Sequence, residues 1–302
     1  MALRPVKRIA KARPAVEGAG VRIHRAFGFG EPSEFDPFLL LDDLRSDVPD
    51  DYKVGFPWHP HRGIETITYI LAGSVEHGDS IGNHGLIGPG DVQWMTAGSG
   101  IIHQEMPKGD DAGRMHGFQL WANLPASLKM TAPRYQEVKA ADIPEVTDDD
   151  GTRVRVVCGG FRGAKGPVVG SAADPIFLDV WIPRGKRKTF PVESPRRAFA
   201  YVFEGSGTFC NASDPLDVPT EGAGWSDVTP PSSAENRSLI LFADGDEIAV
   251  QAEDRGIRFL LVSGKPLGEP VAWYGPIVMN TMGELKRAFR ELQDGTFLKK
   301  KG

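Results

Sequence analysis

Apolar residues along this chain fall in short runs rather than long ones. Residues 66–71, 91–95, 154–157, 176–182, 198–203, 239–242 and 258–262 are each rich in β-branched and aromatic side chains, and Gly (36) and Pro (24) punctuate the intervals between them. Many short strands separated by turn signals predict a sandwich or barrel, not alternating strand–helix units. Only one stretch carries a clear helical period. Leu285, Ala288, Phe289 and Leu292 form an i, i+3, i+4, i+7 stripe, Thr281 and Glu284 are spaced as a capping box, and Asp294-Gly295 supplies a stop. The stripe is most simply a packing face, with partner binding as the alternative reading. The predicted class is all-β with a short C-terminal helix.

Two domains are expected from a chain of 302 residues. The polar stretch 139–152, with Pro144, Gly151 and three consecutive Asp (148–150), is the best boundary candidate. Residues 64–75 and 198–209 echo one another: an apolar strand, Gly-Ser, then a second strand. The pattern suggests duplicated β-domains over 1–138 and 153–302, joined by a linker at 139–152.

Charge and cysteine content narrow the partners. With 35 basic and 40 acidic residues the net charge is −5, which argues against broad electrostatic binding to nucleic acid, though not against contact with a DNA-binding protein. Cys158 and Cys210 are the only cysteines, so no disulfide framework is implied. No run of 18 or more apolar residues is present, and the basic N-terminus lacks the apolar core of a secretory signal. A cytoplasmic protein with reduced thiols, and no membrane partner, is the expectation.

The chemistry concentrates in one stretch. His59-Pro60-His61 and His103-Gln104-Glu105 each place two ligand types at i and i+2, and such positions share one face of a strand. Two facing strands would offer three imidazoles and a carboxylate, a set that suits a divalent transition metal and leaves about two positions open. All seven histidines lie at or before His116, so a comparable imidazole site in the C-terminal half is excluded. Glu65 is also in parity with His59 and His61 if the strand is regular, which leaves a choice between it and Glu105. His77 and His84 fall in a polar loop and are expected to be solvated. His116 reads as a core histidine or one that supports a ligand. Trp58, Phe56, Trp94 and Met95 read as packing residues, one or two of which could line a pocket for a planar ligand. Asp91 reads as a turn residue.

The order His-x-His, a Glu four residues on, a Pro-Gly turn (residues 89–90) and a later His matches the cupin pattern. More specifically, residues 59–66 and 90–107, together with 36–42, 116–125 and 275–281, resemble the pirin family. The resemblance covers most of the chain and is strongest over residues 56–125. It implies a bicupin, two β-barrel (jelly-roll) domains with a metal in the N-terminal one only. It implies His59, His61, His103 and Glu105 as the ligands of one divalent ion, Fe(II) favoured, with Mn, Co, Ni, Cu or Zn compatible with the donors. Glu65 then becomes a hydrogen-bond partner of the ligand set. Some pirins are similar to quercetin 2,3-dioxygenase, which opens the flavonol heterocycle with dioxygen and releases carbon monoxide. In that role Glu105 is also the catalytic base, and a small planar phenolic is the substrate. Other pirins look like regulators, in which iron would act as a redox sensor and bind a protein partner without turnover. A monomer suffices for either.

Overall fold

The chain, described by a computed structural model over residues 2–210 and 233–299, is built mostly of strands. The strands up to residue 138 are β1 (Val6–Lys11), β2 (Arg13–Glu17), β3 (Val21–Phe27), β4 (Phe38–Asp43), β5 (Phe56–His61), β6 (Ile64–Ala72), β7 (Ser74–Asp79), β8 (His84–Ile87), β9 (Val92–Thr96), β10 (Ile101–Lys108), β11 (His116–Asn123) and β12 (Arg134–Val138). Among the described residues only Pro49–Tyr52 and Met282–Gln293 are α-helical. The all-β expectation therefore holds.

Two compact units form, and they are not the contiguous halves the sequence suggested. One gathers residues 12–144, 166–174 and 265 onward; the other gathers the first eleven residues, 145–165 and 175–264. Three local causes account for the difference from 1–138, 139–152 and 153–302. β1 pairs antiparallel with Ser238–Phe242, which carries the N-terminus into the second unit. The acidic stretch read as a linker is the tip of a hairpin, since Glu145–Thr147 pairs with Arg153–Cys158. Finally, Leu285 and Ala288 of the C-terminal helix pack with Ile277, Met279 and Phe297, and partly buried Ile102 of β10 lies against that cluster.

The first unit has two antiparallel sheets. One runs β12-β9-β6-β11-β4-β3-β2, the other β5-β10-β7-β8. Their inner faces meet, because Glu105 on β10 receives hydrogen bonds from Thr68 on β6 and Gln119 on β11. Apolar clusters flank this interior. Val21, Ile23, Ile70 and Val75 pack on one side; Leu40, Ile64, Met95, Ile101 and Trp121 pack on another. Burying such side chains, at about 25 cal/mol per Å² of apolar surface, is what holds the sheets together. In the second unit a nine-stranded sheet packs around a hydrophobic cluster that includes Val156, Leu178, Val202, Phe209 and Phe259.

The C-terminal helix begins as its sequence predicts. The Thr281 hydroxyl accepts from the Glu284 backbone N–H at 3.2 Å, and the Glu284 carboxylate accepts from the Thr281 N–H at 2.9 Å. Two of the N–H groups left without partners at the helix start are thereby satisfied.

Candidate metal centre

The pairing of β5 with β10 builds the centre. The two strands are antiparallel with His103 opposite His59 and Ile101 opposite His61. Pro57 and Pro60 are tolerated because β5 is an edge strand of its sheet, where a missing N–H costs no ladder bond. After His61 the chain must reverse at once into β6. Gly63 does this with φ +78, and a Cβ there would lie 1.9 Å from the Val278 carbonyl oxygen.

Three imidazoles converge. One ligand atom from each of His59, His61 and His103 falls within 4.8 Å of the others. The His59 Nδ1–H donates to the Pro57 carbonyl at 2.8 Å and the His61 Nδ1–H to the Pro276 carbonyl at 3.2 Å. These bonds fix both tautomers and leave the two Nε2 lone pairs facing one another at 3.1 Å. Lone pairs at that separation repel unless a cation lies between them. His103 is fully buried, and among the described residues neither of its ring nitrogens has a hydrogen-bond partner. A buried imidazole without partners is costly, and a metal would relieve the cost. Burial, reinforced by the neighbouring histidines, holds His61 and His103 well below the usual histidine pKa, so both are in the neutral form a metal requires. The donor set fits a divalent ion.

Glu105, expected as the fourth ligand, lies on the same strand as His103. Ile101, His103 and Glu105 all face the interior, as the alternation required. Between His103 and Glu105 the register with β5 shifts, so that Glu105 stands opposite Phe56. Its carboxylate lies outside the group of converging ligand atoms. One oxygen accepts from Thr68 Oγ1 and the other from Gln119 Nε2, both at 3.0 Å. Gln119 is itself oriented by Trp121, whose indole N–H donates to its carbonyl at 3.3 Å.

Glu65 is held by hydroxyl groups. It is buried on β6 and accepts from Thr96 Oγ1 at 2.8 Å and from the Ser171 hydroxyl. Burial pushes its carboxyl above the ordinary value, opposed by those hydroxyls.

A cavity of about 390 Å³ opens beside His59 and His61, lined also by Leu40, Phe56, Gln119 and Trp121. Arg25 and Asp42 stand on its wall as a bidentate pair, 2.9 and 2.8 Å. Burial pushes the Asp42 carboxyl up to about 6 despite the guanidinium. Phe56 thus contributes to the pocket, whereas Trp94 and Met95 are fully buried and Trp58 is exposed. Asp91 is a turn residue that accepts from the Gly88 and Ala140 N–H groups.

His77 corrects the sequence reading. It is buried rather than solvated, stacks on Tyr135 with ring centroids 5.1 Å apart, and lies 5.5 Å from the His103 ring. The alternation of β7, with Val75, His77 and Asp79 all buried, was the available signal. His84 is exposed, and His116 pairs with Asp47 at 2.6 Å.

One β-barrel unit presenting three converging imidazoles, in a chain with a second β-unit, defines a bicupin with a candidate metal centre in one unit. The chain belongs to the pirin family. The family model described as Pirin matches residues 20–122, and that of the Pirin C-terminal cupin domain matches residues 177–298. A pirin-like protein of Caulobacter vibrioides is 44% identical over 98% of this chain and all of its own length. The crystal structure of a quercetin 2,3-dioxygenase from Acinetobacter baumannii superposes with a TM-score of 0.84 at 31% identity, covering 98% of this chain and 99% of that one. A bacterial pirin from Escherichia coli, solved in complex with nickel(II), shares the fold (TM-score 0.61, 22% identity, 86% of this chain and 99% of that one).

Proposed function

We propose that this protein is a metal-dependent dioxygenase of the quercetin 2,3-dioxygenase type, acting on flavonols or related phenolics, with iron(II) the favoured metal. The observation that carries the reading is the set of three imidazoles, two of them buried and held neutral, opening on a cavity sized for a small planar molecule. The likeness to the Acinetobacter enzyme supports the reaction class. His59, His61 and His103 would hold the metal, with Glu105 as the fourth ligand once its carboxylate exchanges the Gln119 amide for the cation. A metal there supplies Lewis acidity and coordination positions beyond the protein's own ligands.

The chain's residues do the rest. Leu40, Phe56 and Trp121 bury the flat faces of the phenolic and exclude water. Arg25 is already paired with Asp42 and with Glu17 at 2.8 Å, so the pocket wall offers no unmatched cation, which suits a neutral substrate better than a carboxylate. Glu105 takes the proton of the substrate's 3-hydroxyl, acting as general base. Thr68 and Gln119 donate to that carboxylate and fix its orientation until then. Dioxygen enters the ring-opened product with both atoms, and carbon monoxide leaves.

Glu105→Gln keeps the size of the side chain but removes the base. Anaerobic Fe(II) titration should show most of the metal affinity retained, while flavonol consumption falls by about 10²–10⁴-fold. Equal turnover in variant and parent removes the base role.

A further inference from the structure

The segment after residue 265 returns to the metal centre, and its motif at residues 275–281 has no part in the chemistry above. The His61 Nδ1–H donates to Pro276. The turn holding Pro276 is fixed to the next residue along, because the Val278 N–H donates to the Arg62 carbonyl at 3.1 Å and Arg62 bridges Ile277. Arg62 is only 2% exposed, and its guanidinium is fully engaged. Nε donates to the Ser99 carbonyl at 2.7 Å, one terminal nitrogen to Glu291 at 2.7 Å, and the other to the Phe297 carbonyl at 2.8 Å. The Phe297 ring lies under it at 4.2 Å.

Arg62 therefore ties three things together. It adjoins the ligand His61. It holds the turn at residues 97–100 that feeds the strand of His103. Its other two bonds end on the last turn of the Met282–Gln293 helix and just beyond it. A buried guanidinium keeps its position only while all its partners stay in place, so the helix end and the ligand-bearing strands must settle together.

We infer that Arg62, anchored by Glu291 and Phe297, is a positioning residue for His61 that couples metal occupancy to the seating of the C-terminal helix. The inference rests on the metal centre proposed above. Coupling is reciprocal: if the seated helix raises metal affinity, bound metal must steady the helix by the same factor.

The test is nickel(II) titration of the full-length protein by calorimetry, with amide hydrogen exchange of residues 282–293 followed with and without nickel. Parent protein should show slower helix exchange when nickel is bound. Glu291→Gln, which keeps shape but loses the charge, should bind nickel about tenfold more weakly and lose that slowing. Phe297→Leu, which retains the carbonyl acceptor, should move both readouts the same way by less. Lys299→Ala removes the exposed partner of Glu291, at 2.6 Å, together with a bond to the Thr296 carbonyl, and should behave as parent. Parent-like affinity together with parent-like slowing in Glu291→Gln overturns the coupling while leaving the metal centre standing. Failure of the parent to bind nickel overturns both. Nickel binding that persists unchanged in His59→Ala overturns both as well, since the ion then lies elsewhere.

Discussion

His59 and His61 aim their Nε2 atoms at one another because each Nδ1 is already committed to a carbonyl, Pro57 for one and Pro276 for the other. The first partner was within reach of sequence reasoning, being two residues away. The second lies 215 positions downstream, and only the fold could reveal it. The two i, i+2 pairs were legible from strand alternation, and the three imidazoles do converge. Glu105 was harder: parity puts it on the right face, but a register shift and two hydrogen-bond donors decide where its oxygens go. His103 gives the cleanest prediction at this scale. Its ring nitrogens have no hydrogen-bond partner among the described residues, so His103→Ala should lower metal affinity by about a hundredfold or more while the metal-free protein keeps its fold. Calorimetric titration beside a thermal melt checks it. Unchanged affinity contradicts the assignment.

At the level of elements, the turn at Gly63 carries the chain from β5 of one sheet into β6 of the other, and a buried lysine props it. Lys129 is 2% exposed, and its Nζ donates to the Gly63 carbonyl at 2.8 Å and to Asn123 Oδ1. Burial lowers its pKa from 10.5 to about 7. In the unfolded chain Lys129 keeps its proton to about pH 10.5, whereas in the folded protein it loses it near 7. The unfolded state therefore binds more protons between those values, and this residue makes stability rise with pH across that window. Below 7 both states are charged and the burial penalty is fully present. Urea midpoints measured from pH 6.5 to 9.5 should climb more steeply for the parent than for Lys129→Met; parallel slopes contradict the shift. No sequence pattern announced this lysine, since one cationic residue among loop residues ordinarily reads as solvated. The strands and the C-terminal helix were legible because alternation and the capping box are local signals.

Across the whole molecule, duplication of β-units was visible as the echo between residues 64–75 and 198–209, but the division of the chain was not. Strand exchange of the first eleven residues, and the return of the last segment to the first unit, depend on pairings far apart in sequence. The acidic tip at 148–152 has the composition of a linker and the geometry of a hairpin, and composition alone cannot separate the two. The asymmetry in chemistry was legible, because a unit without histidine cannot repeat an imidazole site, and its interior is an apolar cluster. Among the described residues no helix is long and apolar enough to cross a membrane.

We propose that the three-histidine centre supports oxidation of a phenolic by dioxygen. The most direct test is dioxygen uptake by Fe(II)-reconstituted protein on addition of quercetin, run beside His59→Ala. Uptake matched to flavonol loss and carbon monoxide release in the parent, and absent from the variant, is the predicted result. One equivalent of bound metal with no uptake, or equal uptake in both proteins, would contradict it; the first outcome would favour a metal-sensing protein that binds a partner instead.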